Sequence, residues 1–289
     1  MKFAVAAILI SLACTQPARA GSAGNDAHWS AAITGGTAAL DNRGDQPFIG
    51  VSLSRDVGDG YVRLSATHIQ SRSGRGLITN VPAKTDLITL SAGTSFGAAS
   101  LDGYVSLGWR SFGAEAFRRQ NGQSIEITSN GKTNSVGGSL TYDLTLAQHA
   151  IVSPFVSLDY SRVDTARAIL LPVRGLVTQK EKQTGVTVTA GASAQRFFGT
   201  DDRHSIGLYA AFVSSSDTTA YSRGTSPIAA ARLLGALDQP GLRDSWAEYG
   251  ATASLALSRP VRMDLSVIRT IGFAGAESTS GSLGLSISF

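Results

Sequence analysis

Few side chains in this 289-residue sequence could do chemistry, and they are scattered. The histidines stand at His28, His68, His149 and His204, with no two spaced to share one face of one strand, and the one cysteine is Cys14. A His/Cys metal centre needs several such donors converging, so no metal is expected. A histidine two residues before a serine would let imidazole activate a hydroxyl on the same strand face. His68-Ile69-Gln70-Ser71 comes nearest, with Gln70 at the position that matters. Asp201-Asp202-Arg203-His204 gathers two acids and an imidazole, but over residues that read as a turn. No glycine-rich phosphate loop occurs. The chain therefore reads as a non-enzyme with no cofactor. What remains is a set of charges set singly among apolar residues: Arg63, Asp102, Arg110, Asp143, Asp159, Glu248, Arg262 and Asp264.

The segments that carry these charges alternate. Ser282-Leu283-Gly284-Leu285-Ser286-Ile287-Ser288-Phe289 switches between small polar and apolar at every step. Successive side chains of a strand point to opposite faces, so one face is Leu, Leu, Ile, Phe and the other Ser, Gly, Ser, Ser. Asp102 to Arg110 sets Val105, Leu107 and Trp109 against Asp102, Tyr104, Ser106 and Arg110. Twelve such segments are expected: 28–38, 46–56, 60–71, 84–96, 100–111, 133–146, 149–162, 183–196, 203–215, 245–258, 260–270 and 279–289. Soluble strands run to about 5–6 residues, whereas a tilted membrane strand needs about 9–11. These segments fit the second class.

The connections separate a soluble sandwich from a membrane barrel. Short ones (57–59, 97–99, 147–148, 197–202 and Arg259) alternate with long ones at about 72–83, 112–132, 163–182 and 216–244. Bacterial barrels have short periplasmic turns and longer external loops, and a sandwich has no reason to segregate them. The fold class is all-β: a single transmembrane antiparallel up-and-down barrel of about twelve strands, both ends periplasmic. On that reading the eight charges line the lumen, because ionisable groups at membrane depth must face a wet cavity or pair with each other. Trp29, Phe48, Tyr61, Phe96, Trp109, Phe197, Phe198, Trp246 and Phe289 fall near strand ends, as an interfacial girdle would. Ser226-Pro227 opens an Ala/Leu-rich run to Leu237, which predicts a short helix in the longest external loop.

The start of the chain fits export. Met1-Lys2, an apolar run from Phe3 to Leu12 and Ala18-Arg19-Ala20 have the form of a secretory signal, giving a signal peptide at 1–20 and a barrel domain at 21–289. Its removal takes away Lys2, Arg19 and Cys14. The formal charge falls from +4 to +2, too balanced to argue for nucleic acid. Closure of the barrel explains how an exported domain manages without disulfides, since no strand edge is left unpaired. Basic residues on the expected external side, among them Lys84, Arg118, Arg119, Lys132, Lys182 and Arg243, could meet lipopolysaccharide phosphates.

The ending Leu285-Ser286-Ile287-Ser288-Phe289 resembles the closing strand of outer-membrane barrels, whose terminal aromatic is read by the barrel-insertion machinery. That resemblance implies Leu285, Ile287 and Phe289 as an insertion signal. With twelve strands in about 265 residues, the chain resembles the translocator domain of autotransporters. The family implies a bacterial outer-membrane location, a passenger carried outside and a linking helix that threads the pore. Only Gly21 to Ala27 would precede the first strand here, so neither passenger nor threading helix fits. Two roles stand. One is a barrel of this type without passenger, acting as a narrow pore or surface scaffold in outer-membrane lipid. The alternative is a porin-like channel for small solutes. An outer-membrane hydrolase is a third, resting on His68 or His204 alone.

Overall fold

The computed structural model describes residues 28–40, 46–71, 83–112, 115–118, 124–127, 129–171, 175–217, 243–273 and 277–289. They form β1 (Trp29–Leu40), β2 (Gln46–Val57), β3 (Gly60–Ser71), β4 (Ala83–Phe96), β5 (Ala99–Phe112), β6 (Glu115–Arg118), β7 (Ser124–Ile127), β8 (Ser129–Tyr142), β9 (Leu144–Ala147), β10 (Ala150–Leu171), β11 (Gly175–Phe198), β12 (His204–Ser215), β13 (Asp244–Ala256), β14 (Val261–Ile271) and β15 (Ser278–Ser288). A 3-10 turn at Thr200–Asp202 is the only helical element among the described residues.

Apart from the small β6–β7 hairpin, the strands pair antiparallel in chain order, with β8 and β9 both lying along β10, and β15 returns to β1. The seam is closed by Trp29 N–H donating to the Phe289 carbonyl at 2.9 Å and Phe289 N–H donating to the Trp29 carbonyl at 2.8 Å. β8 and β9 make one stave, so the barrel has twelve. That stave breaks at Asp143 for a local reason. β10 pairs with β8 from Phe155 onward and with β9 only up to Val152, and Pro154 falls in the gap. Proline has no N–H to give a ladder, so a break opposite it leaves no acceptor unserved.

Register fixes the shape. Partners followed from Lys182 round the barrel run through Asp164, Lys132, Trp109, Asp86, His68, Ile49, Gly35, Leu283, Leu265, Ala253 and Ile206 to Arg196, on the strand where they began. The shear is therefore 14 residues (196 − 182). With spacings of about 3.3 Å along and 4.8 Å across strands, twelve staves then tilt by roughly 39° in a barrel about 24 Å across between backbones. On β4 the outward face carries exposed Ile88, Leu90 and Phe96. At that tilt the stretch from Ile88 to Phe96 rises about 20 Å along the axis, close to the apolar band of roughly 25 Å on outer-membrane barrels.

Both termini of the barrel and the turns at Gly58-Asp59, Gly97-Ala98, Gln148-His149, 199–203 and 257–260 share one end, here the turn end. Gly58 and Gly97 have φ of 58° and 65°, conformations that glycine adopts without strain. The longer connections share the other, the loop end. Two expectations change there. Residues 163–182 are not a long loop: β10 and β11 stay paired from Ala150–Arg196 to Leu171–Gly175. β8 accompanies β10 only to Arg167 and β12 joins β11 only from Thr187, so the top of this hairpin stands clear of both neighbours. A hairpin above the apolar band needs no lipid face, and 163–182 offers no apolar alternation to read. Residues 112–132 likewise hold β6, β7 and the start of β8. The expected signal peptide and the helix at 226–237 lie outside the described residues.

Candidate functional site

The barrel wall has two faces of opposite chemistry. Outward positions carry Ile33, Val51, Leu64, Leu90, Val105 and Leu283, all exposed. The eight candidate charges fall on the other face. Arg63, Asp102, Asp143, Arg262 and Asp264 are half-buried, while Arg110, Asp159 and Glu248 are buried. Neutral donors supply the contacts described for five of the carboxylates. Tyr61 Oη donates to Asp102 at 2.7 Å, and Tyr104 Oη donates to Asp159 at 2.6 Å. Ser153 Oγ donates to Asp143 and Ser254 Oγ to Asp264, each at 2.7 Å. Glu248 receives Trp246 Nε1 at 2.8 Å and Tyr209 Oη at 3.3 Å. Arg63 lies over the Tyr61 ring, 5.0 Å from its centroid. Arg110 differs: 2% exposed, it has no hydrogen-bond partner at Nε or Nη1, and its neighbour Thr133 has none at Oγ1.

The two tyrosine–aspartate contacts share one construction. Tyr61 is the register partner of Gly93, and Gly93 of Asp102. Tyr104 is the partner of Gly137, and Gly137 of Asp159. Each ring lies across a glycine on the intervening stave to reach a carboxylate two staves away. A Cβ on either glycine would sit 2.7 Å from the tyrosine Cε1 and closer still to the carboxylate. Sequence reasoning set Tyr104 on the polar face and Tyr61 in a girdle, but missed the glycines and the contacts across them, because the register that aligns them exists only once strands are paired.

The lumen is also asymmetric along its axis. Towards the loop end its wall carries Ile69 (1% exposed), Leu87 (3%), Val163 (1%), Val213 (0%) and Trp246 (2%). Trp246 packs edge-on against Phe273 with centroids 4.9 Å apart, and lower down, near mid-barrel, Phe155 stacks on Tyr209 at 5.7 Å. Towards the turn end the inward side chains are small or charged and mostly half-buried: Ser30, Arg63, Ser91, Ser205, Arg262 and Ser286. The aromatic girdle is corrected accordingly. Trp29, Phe96, Trp109, Phe198 and Phe289 face outward and are exposed. Phe48, Tyr61, Phe197 and Trp246 alternate onto the inner face, with Phe48 and Trp246 buried. Of the insertion-signal residues, Leu285, Ile287 and Phe289 are all outward and exposed.

The histidines do not converge. His68 is outward, with Nδ1 2.7 Å from Asp86 Oδ1. A carboxylate-oriented imidazole is part of a hydrolytic triad, but a hydroxyl or thiol must complete it. The outward neighbours of His68 are Ile49 across the β2 pair and Ala66 and Gln70 along its own strand. His149 Nδ1 pairs with the Asp202 carboxylate at 2.9 Å between two turns. His204 stacks on Phe198 with centroids 5.5 Å apart, and its Nδ1 accepts the Ala256 N–H at 3.2 Å. Among the described residues no group of His, Cys, Asp and Glu could hold a metal ion.

The fold is similar to the crystal structure of the β domain of the Bordetella autotransporter BrkA. The match has a TM-score of 0.63 and 12% identity, and covers 91% of this chain and 99% of that one. The translocator domain of autotransporter NalP from Neisseria meningitidis matches at 0.62 and 14%, over 93% and 90% of the two chains. LpxR from Salmonella typhimurium matches at 0.54 and 12%, over 89% and 99%. No protein-family model and no curated protein matches the sequence. At these identities the likeness is one of fold: the chain has the closed twelve-stave barrel of autotransporter translocator β-domains.

Proposed function

We propose that the protein sits in the bacterial outer membrane as a barrel of autotransporter β-domain type and acts as a narrow pore or surface scaffold, occluded at its loop end. The observation that carries this reading is the burial gradient of the inner wall. In a water-filled channel the inward side chains would be wet along the whole axis. Here apolar side chains such as Ile69, Leu87, Val213 and Trp246 are dry at one end, while most of the small and charged ones at the other, Ser54 and Ser153 apart, are half-exposed. Apolar surface is kept from water because its hydration costs about 25 cal/mol per Å². Access is then from the turn end, the periplasmic side of an outer-membrane barrel.

Planar-bilayer recording tests this. Purified barrel reconstituted at increasing protein should give no steady channels, or only brief low-conductance openings. Stable channels that a small solute blocks would overturn the scaffold and establish the alternative, a porin-like conduit. The mixed charges Arg63, Asp102, Asp143, Arg262 and Asp264, half-buried on the lumen wall, favour that second reading. Enzymatic hydrolysis has the weaker support, since the His68–Asp86 pair has no nucleophile beside it on the outer face among the described residues.

A further inference from the structure

The outer face of three adjoining staves changes character just beyond the apolar band. On β8, β10 and β11 the outward positions are apolar through Val136, Tyr160 and Val186, and then become Lys132, Arg162 with Asp164, and Lys182. Register puts Asp164 directly between Lys132 and Lys182. Arg162 forks onto that carboxylate, Nε 3.0 Å from Oδ1 and Nη2 2.9 Å from Oδ2, and neutralises the one acid of the group. Lys132 and Lys182 are exposed, and neither has an ion-pair partner among the described residues. Trp109, the partner of Lys132 across β5 and β8, is exposed on the same face.

We propose that Lys132, Arg162 and Lys182, beside Trp109, form a headgroup site for a phosphate-bearing glycolipid of the outer leaflet. Two features converge on that occupant. An outward tryptophan at the edge of the apolar band marks headgroup depth. Lys132 and Lys182, without an ion-pair partner among the described residues, stand on staves two apart with backbones about 10 Å from each other, so their flexible ammonium groups can span a lipid with two phosphates rather than one. Charge-assisted contacts to phosphate are the strong kind of hydrogen bond, and a neighbouring neutralised arginine leaves the net field positive. Acyl chains of the same lipid would lie against Val136, Tyr160 and Val186.

The site rests on the outer-membrane reading, which outer-membrane fractionation tests separately. The experiment is native mass spectrometry of the detergent-purified barrel titrated with bis-phosphorylated lipid A, with its dephosphorylated form and with phosphatidylglycerol. Bis-phosphorylated lipid A should bind at least tenfold more tightly than either of the others. The double variant Lys132→Gln/Lys182→Gln should fall to the affinity of the dephosphorylated lipid while keeping heat-modifiable migration on a gel. Equal binding of the phosphorylated and dephosphorylated forms would overturn the proposal even without the variant. Equal binding of phosphatidylglycerol would overturn the glycolipid as occupant. Unchanged affinity in the folded double variant would overturn these residues as the site.

Discussion

A tyrosine laid across a glycine is a small device, yet it sets what each residue near it can become. Tyr104 reaches Asp159 only because Gly137 leaves the space between them open. Removing the hydroxyl alone, Tyr104→Phe, deletes one hydrogen bond to a carboxylate and should cost about 1.5–3 kcal/mol. Gly137→Ala should cost more, because its methyl displaces the ring and the carboxylate together. Gly103→Ala is the control: a Cβ there meets nothing nearer than the Gly137 carbonyl at 3.7 Å. Urea unfolding in micelles, followed by the heat-modifiable gel shift, would rank the three. A Gly137→Ala midpoint equal to that of Gly103→Ala would show that the strap contributes nothing. At this scale alternation carries more than nearness to a strand end does. Nearness to strand ends puts Phe48 and Trp246 in a girdle, yet Phe48 is out of step with Ile49, Val51 and Leu53. Alternation alone therefore assigns it inward. The glycines opposite the tyrosines were not legible, since their meaning depends on partners in other segments.

At the scale of the element, alternation marked strands wherever they carry the exposed apolar belt. The expected 60–71, 46–56 and 203–215 became Gly60–Ser71, Gln46–Val57 and His204–Ser215. It failed over 163–182, where β11 runs beyond β12 and β10 leaves β8 after Arg167, so that above that point mutual pairing holds the two in register. It also missed the break in the sixth stave, where Asp143 opposes a gap made by Pro154. The last strand carries the heaviest demand, because β15 must find β1 from the far end of the chain. Its terminal residue both donates to and accepts from Trp29. Deleting Phe289 removes two seam hydrogen bonds and the aromatic that the resemblance assigns to the insertion machinery. Outer-membrane fractions of cells producing that variant should hold several-fold less heat-modifiable protein. Refolding of the same variant into detergent should be reduced much less, since its other staves are intact. If both fall equally, Phe289 matters for stability and not for recognition.

For the whole molecule, closure with a shear of 14 residues ties everything to one axis: the outer apolar belt, the dry loop end of the lumen and the tall β10–β11 hairpin. The hairpin follows from the same registers. Between Val186, which still bonds Ser216, and Gly175, where β11 begins, eleven residues of β11 climb without a neighbour on that side among the described residues. At about 3.3 Å per residue and a tilt near 39°, that stretch rises roughly 30 Å. A barrel inserted with its termini in the periplasm must carry this tower on the cell surface, and the Gly97-Ala98 turn on the opposite side. A short epitope inserted between Leu171 and Gly175 should therefore be labelled by antibody on intact cells. The same epitope inserted between Gly97 and Ala98 should be labelled only after the outer membrane is permeabilised. Neither insertion lies within a stave of the barrel wall, so both variants should keep the gel shift of the parent. Labelling of the Gly97 insertion on intact cells would invert the orientation. The dry end of the lumen would then face the periplasm, and the Lys132–Lys182 cluster would meet the inner leaflet.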